Sequence, residues 1–258
     1  MKIINSKIAR SLLLIACFTS SYVKANQIAI VIDDIGYHKR DLDFLSLPGQ
    51  LTYSILPHTP YSQAFAELAS QSNKELLLHV PMQALNGKKL GPGALTLNMN
   101  KKQLQQTLGT ALATLPQVKG VNNHMGSALT QQSQAMVWTM EVLKKRHLYF
   151  LDSRTTNLSL AQKTANTVGV KNIGRQVFLD NITTQEQLQL RLDELKHKSI
   201  KYNFAIAIAH PHPETIAFLR HALPKLTEQG FELVPVSQLV ERKYIQLAKI
   251  KGRSDNVR

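Results

Sequence analysis

The stretch QIAIVIDDIGY, Gln27 to Tyr37, decides how the rest of the chain is read. Five apolar residues, Ile28 to Ile32, run without interruption into Asp33 and Asp34, and Gly36 follows. An unbroken apolar run fits a strand covered on both faces, as in a parallel sheet, rather than one with a wet side. Where such a strand emerges, a turn is expected. Two adjacent negative charges ask for another explanation.

Working outward, the pattern repeats. Strand-like runs fall at 28–33, 51–56, 75–80, 119–123, 148–153, 167–172, 204–210 and 231–236. Segments of helical periodicity alternate with them at 62–72, 101–115, 133–146, 159–169, 184–199 and 214–230. Strand and helix in alternation imply parallel pairing with helices covering the sheet. Seven or so such units predict an α/β barrel, mostly parallel, ahead of an open doubly wound sheet. Ser62 and Asn100 are the predicted N-caps of two helices, the second after the long Gly/Pro loop NGKKLGPGALTLNMNKKQ. No internal repeat or linker divides the chain.

The composition is that of a globular protein, with 43% apolar residues in 258. Its formal charge of +14 is concentrated at the ends. The first ten residues are basic, SLLLIACFTSSYV is apolar, and VKA supplies small residues before a cut after Ala25. That order predicts a secretory signal over 1–25, a domain over 26–240 and a basic tail over 241–258. The expected location is periplasmic or secreted. A lipidated Cys17 is the competing reading, for which the span from Arg10 is short. Cys17 is the single cysteine, so a chain cut after Ala25 has no disulfide. The basic tail could contact a membrane peripherally. Nucleic acid is not an expected partner, because no aromatic-interleaved basic patch or binding motif occurs.

Ligand-type residues gather at the predicted strand ends: Asp33 and Asp34, His79, His124, Asp152, then His210 and His212. In a parallel barrel all these ends open on one face. Each residue has a plainer role as a cap, a rim residue or a turn residue, but independent capping does not favour histidine. One carboxylate and two imidazoles make a three-ligand divalent site of the hydrolytic zinc type. A second carboxylate could take a proton from water, a further histidine could protonate a leaving group, and Asp152 could orient a histidine. No nucleophile elbow, P-loop or dinucleotide fingerprint is present.

AIVIDDIGY, LLLHVPM, GVNNHMGSALT, YFLDSRT and IAIAHPHPET, in that order, resemble the divergent polysaccharide deacetylases, an outlying branch of the NodB-homology carbohydrate esterases. The resemblance runs over roughly 27–239. It implies a deformed (β/α) barrel of the NodB-like glycoside hydrolase/deacetylase type and a metal-dependent deacetylase, with a polysaccharide or peptidoglycan-like glycan as substrate. It implies Asp33 as base, Asp34 and His124 as metal ligands, His210 as acid and Asp152 in an orienting role. The family's second histidine falls four residues after His124, where this chain has Ala128. His79 is the candidate for that ligand, and the divalent ion implied is Zn2+. The departure at Ala128 motivates the alternative of a catalytically weak or inactive glycan-binding envelope protein on the same fold.

Overall fold

The computed structural model describes residues 25–255. The expected signal segment, with Cys17, lies outside them apart from Ala25. The strands are β1 (Asn26–Ile35), β2 (Thr52–Ile55), β3 (Glu75–Met82), β4 (Gly120–Met125), β5 (Tyr149–Asp152), β6 (Asn172–Gly174), β7 (Val177–Phe178), β8 (Phe204–Ala209) and β9 (Phe231–Leu233). The α-helices are α1 (Ser62–Gln71), α2 (Lys101–Thr114), α3 (Ser133–Lys145), α4 (Ala161–Val168), α5 (Gln185–Tyr202), α6 (Pro213–Glu228) and α7 (Val236–Asp255). Asn100 caps α2 as expected, its side chain accepting from the Gln103 N–H. Ser62 is the first residue of α1, with Tyr61 at the cap position.

All pairings are parallel, in the order β6-β5-β4-β3-β2-β1-β8-β7. β9 lies along the first residues of β1, on the edge that β2 takes up further along. The sheet curls until its two edges, β6 and β7, are joined by Arg175 and Gln176 alone. The Arg175 N–H donates to the Asp152 carbonyl and the Gln176 N–H to the Ile206 carbonyl, so the chain itself bridges the seam. This is the deformed parallel barrel expected from the sequence.

Residues alternate across each strand, which splits the apolar side chains into two sets. Ile28, Ile30 and Ile32 pack outward with the helices. Ala29, Val31, Leu77, Leu151, Ile206 and Ile208 meet each other, and strands so far apart in the sheet meet only through the barrel interior. Val236, Leu239 and Val240 of α7 close that interior from the strands' N-terminal end. Counting by twos along β1, β3, β4 and β8 from the interior set leads to Asp33, His79, Asn122, His124 and His210 at the other end. The lower barrel is thus apolar and its mouth polar.

Three segments differ from the sequence expectation. The run at 167–172 begins as the last two residues of α4, which Gly169 stops in the left-handed region, and pairing begins only at Asn172. β7 is two residues long and carries no periodicity signal. The basic segment continues α7 as far as Asp255, and its first turn is docked: Arg242 donates to Gln27 Oε1 at 2.7 Å and Lys243 to the Asn172 carbonyl at 2.8 Å.

Gly120 opens β4, where a Cβ would lie 2.8 Å from both the Tyr149 carbonyl oxygen and its ring. Backbone on a paired strand cannot yield freely. Gly120→Ala is expected to cost about 1–3 kcal/mol, read as a lower urea midpoint at unchanged slope. An unchanged midpoint contradicts this packing.

Candidate metal centre

The two aspartates of β1 sit on a bulge. Ile32 pairs with Tyr53 and Ile35 with Ile55, so β1 spends one residue more than β2 between these points. Asp34 takes up the excess with φ 58°, a left-handed conformation that a non-glycine residue adopts at a cost of about 1–2 kcal/mol. In a regular strand Asp34 would face away from Asp33. The bulge brings both carboxylates to the barrel mouth. Met125, after His124, and Arg154, after β5, are also left-handed. At Asp34 and Met125 the strained backbone belongs to the residues that carry or adjoin the Asp/His group.

Asp34 Oδ1 lies 2.7 Å from His124 Nδ1 and 3.0 Å from His79 Nε2, and the two rings are 5.0 Å apart. Despite these distances, Asp34 Oδ1 is buried without a hydrogen-bond partner. Three donor atoms crowd together without bonding one another, which fits a cation at their common focus. Ala128 is buried and has no side-chain donor to offer.

His79 is set for this role by Asn122. The Asn122 carbonyl oxygen lies 2.8 Å from His79 Nδ1, and its amide nitrogen donates to Asp33 Oδ1 and Oδ2 at 2.9 and 3.1 Å. An amide that spends its N–H groups on Asp33 offers only an acceptor to His79. Nδ1 therefore carries the proton and Nε2 presents its lone pair towards Asp34, the usual orientation of a ligating imidazole. With no ion bound, burial would raise the Asp34 carboxyl, but the two imidazoles in their protonated form outweigh it and hold it well below the carboxylate range. Asp33 is raised instead, chiefly because burial disfavours its charge.

His210 stands at the end of β8, and its partner is Asp180. The backbone N–H of His210 donates to Asp180 Oδ2 at 2.6 Å and its Nδ1 lies 2.9 Å from Oδ1. The Thr215 hydroxyl donates to the same carboxylate. Burial would lower the His210 pKa, yet the Asp180 anion carries it up to about 9. His212 is close enough to form a second Asp/His group with these two. Both Asp180 oxygens are already engaged within the pair, so this group is a hydrogen-bonded dyad with an exposed neighbour.

The orienting role expected of Asp152 is corrected here. Its carboxylate accepts from the Arg154 N–H at 2.9 Å and the Ser159 hydroxyl at 2.9 Å, tying down the loop after β5. The reason is strand parity: Leu151 faces the interior and Ser153 lies beside Asn122, so Asp152 between them faces out. Asp180 does the work instead. The signal for it was VFLD, an apolar run ending in an acid, too short to stand out beside the others. Asn122, readable as a turn residue, is the centre's hub.

Elsewhere, a concavity of about 1090 Å³ opens at the opposite end of the barrel, bordered by Lys74, Lys119, Lys144, Lys171 and Glu241. Lys74 and Lys144 are spent on backbone carbonyls and Lys171 on Glu241. None of the Asp/His groups borders it.

Residues 30–240 match the family described as divergent polysaccharide deacetylase. An uncharacterized protein of Haemophilus influenzae is 38% identical over 225 residues, covering 87% of this chain and 80% of its own length. YibQ of Escherichia coli, also uncharacterized, is 33% identical over 227 residues, covering 88% of this chain and 71% of its own. The crystal structure of the uncharacterized protein ATU2773 from Agrobacterium tumefaciens superposes with a TM-score of 0.81 at 25% identity, over 85% of this chain and 91% of that one.

The dyad has a direct readout. In the metal-free protein the His210 ring is expected to titrate near pH 9 by NMR. Asp180→Asn removes the anion that favours the imidazolium, so the midpoint moves to lower pH. A midpoint indifferent to the substitution removes Asp180 from this role.

Proposed function

The chain belongs to the divergent polysaccharide deacetylases, and on that membership we propose that it is an extracytoplasmic, metal-dependent hydrolase that removes acetyl groups from an amino-sugar glycan of the cell envelope. One observation carries the reading. Asp34, His79 and His124 converge on a shared focus beside a buried carboxylate, Asp33, and on the same mouth as a carboxylate-paired histidine, His210.

Asp34, His79 and His124 would hold the ion, and a carboxylate with two imidazoles is a donor set that suits Zn2+. Such an ion supplies Lewis-acid polarisation to an acyl carbonyl and a water acidic enough to ionise near neutral pH. The chain does the rest. Asp33, 3.6 Å from His79 Nε2 and gripped through both oxygens by Asn122, accepts the proton of the attacking water. His210, kept cationic by Asp180, donates a proton to the departing sugar nitrogen or oxygen. Placing each of these groups beforehand is itself a large part of such a rate enhancement. Every role a hydrolytic centre needs has an occupant, which favours turnover over a binding-only protein. The signal-type N-terminus supports an envelope location.

Zinc-loaded protein is expected to release acetate from acetylated amino-sugar oligomers. Asp33→Asn should lower kcat by about 10²–10⁴ with metal content unchanged, whereas His124→Ala should lose the metal. Failure to release acetate across a broad panel, with one ion per chain bound, defeats the reading.

A further inference from the structure

Twelve large apolar side chains are exposed among the described residues, and five stand on loops that leave the C-terminal ends of strands. They are Tyr37 after β1, Leu85 and Leu97 after β3, Leu158 after β5 and Ile182 after β7. Leu85 is 72% exposed, Leu158 67% and Ile182 57%. The same loops carry the centre. Tyr37 is three residues past Asp34 and Ile182 two past Asp180, while the Leu85 N–H is held by Ser127, three past His124.

Single exposed apolar residues are ordinary. Four aliphatic tips on the loops of one mouth are a different matter, because they contribute little to the core. They also suit a bare sugar polymer poorly. Aromatic rings are the side chains that offer a hexose a flat apolar face, and Tyr37 is the one exposed aromatic on these loops. The single tryptophan, Trp138, packs against the core on α3. Charge adds the second half of the pattern. Lys39 and Arg40 follow Tyr37, and Lys88 and Lys89 follow Leu85, all exposed. Aliphatic tips among solvated cations fit shallow seating in a bilayer with anionic headgroups. Among the described residues no helix is long and apolar enough to cross a membrane, so the contact is superficial.

We propose that the mouth face seats on an anionic bilayer surface and that the saccharide it acts on is anchored there by a lipid. The seating stands on the rim alone; the substrate class rests on the deacetylase reading above. The competing face is the far half of α7, where Ile245, Leu247 and Ile250 are exposed. It lies at the other end of the barrel, along a β1 of ten residues, roughly 30 Å at the usual rise per residue. Docking there would turn the centre away from any lipid-borne sugar.

Flotation of the purified protein with vesicles tests the seating. One set contains phosphatidylglycerol and the other phosphatidylcholine alone. Wild-type protein and the double variant Leu247→Ser/Ile250→Ser should float with the anionic vesicles and not with the neutral ones. The triple variant Leu85→Ser/Leu158→Ser/Ile182→Ser, which alters only exposed positions, should lose binding at least tenfold, with circular dichroism confirming its fold. No flotation of wild type, equal flotation on neutral vesicles, an unaffected triple variant, or a loss in the α7 variant as large as in the rim variant overturns the proposal. Acetate release tests the substrate class, with the same acetylated saccharide offered free and vesicle-anchored. Faster release from the anchored form, abolished by the triple variant, supports it, and faster release from the free form overturns it. Release from neither form refutes the hydrolase reading and leaves the flotation result to decide the seating.

Discussion

Asn122 is fully buried, and its one amide meets the demands of four segments at once. Its oxygen accepts from Ser54 on β2 and faces His79 Nδ1 on β3; its nitrogen donates to Asp33 on β1 and to Ser153 after β5. A buried amide left with an unmade bond costs about 1–3 kcal/mol, so the four neighbours and the amide specify each other. Neither Asp nor Leu could replace it. A carboxylate would repel Asp33, and an aliphatic chain would free the His79 ring to rotate or change tautomer. The geometry of the candidate centre is therefore set one layer beneath the groups that would touch a substrate.

Strain is the other ingredient. The extra residue in β1 could have been absorbed by glycine at little cost, yet an aspartate occupies the left-handed position and Gly36 comes two residues later. The bulge converts the alternation of a strand into two carboxylates on one side. Asp34 then reaches the two imidazoles, while Asp33 keeps the interior orientation that parity gives it. Two adjacent acids thereby acquire different surroundings, one held anionic and the other pushed towards its neutral form.

Much of this was legible in the sequence. Unbroken apolar strands ending in Asp or His predicted a parallel barrel with its ligands on one rim. His79, the candidate on its strand end for the ligand that the resemblance lacks at Ala128, lies with Asp34 and His124 in the structure. What escaped was local. Asp152 ends a strand as Asp33 does, but stands one register step off the interior set, so an argument from strand ends alone could not separate them. Asp180 follows a strand two residues long, below the length at which alternation can be seen. The helix at 236–255 hid behind FELVPV, whose Val-Pro-Val reads as strand, although its last valine already begins α7.

The seam explains why a barrel that fails to close can still hold a centre. Most neighbouring strands here are joined through a helix or a long loop, but β6 passes to β7 through two residues, so the edges stay within reach of each other. Arg175 is the hinge pin of this crossing. Its guanidinium donates to the Ser153 and Arg154 carbonyls on the β5 side and lies 3.6 Å over the Phe178 ring on the β7 side. Phe178 in turn stacks on His210, with ring centres 6.0 Å apart. The cation is anchored to backbone carbonyls, which fixes the ring beneath it, and that ring limits how His210 can tilt. The contact that spans the gap in the sheet is also the one that aims the histidine at the mouth, so the seam and the placement of His210 are one structural problem with a shared solution.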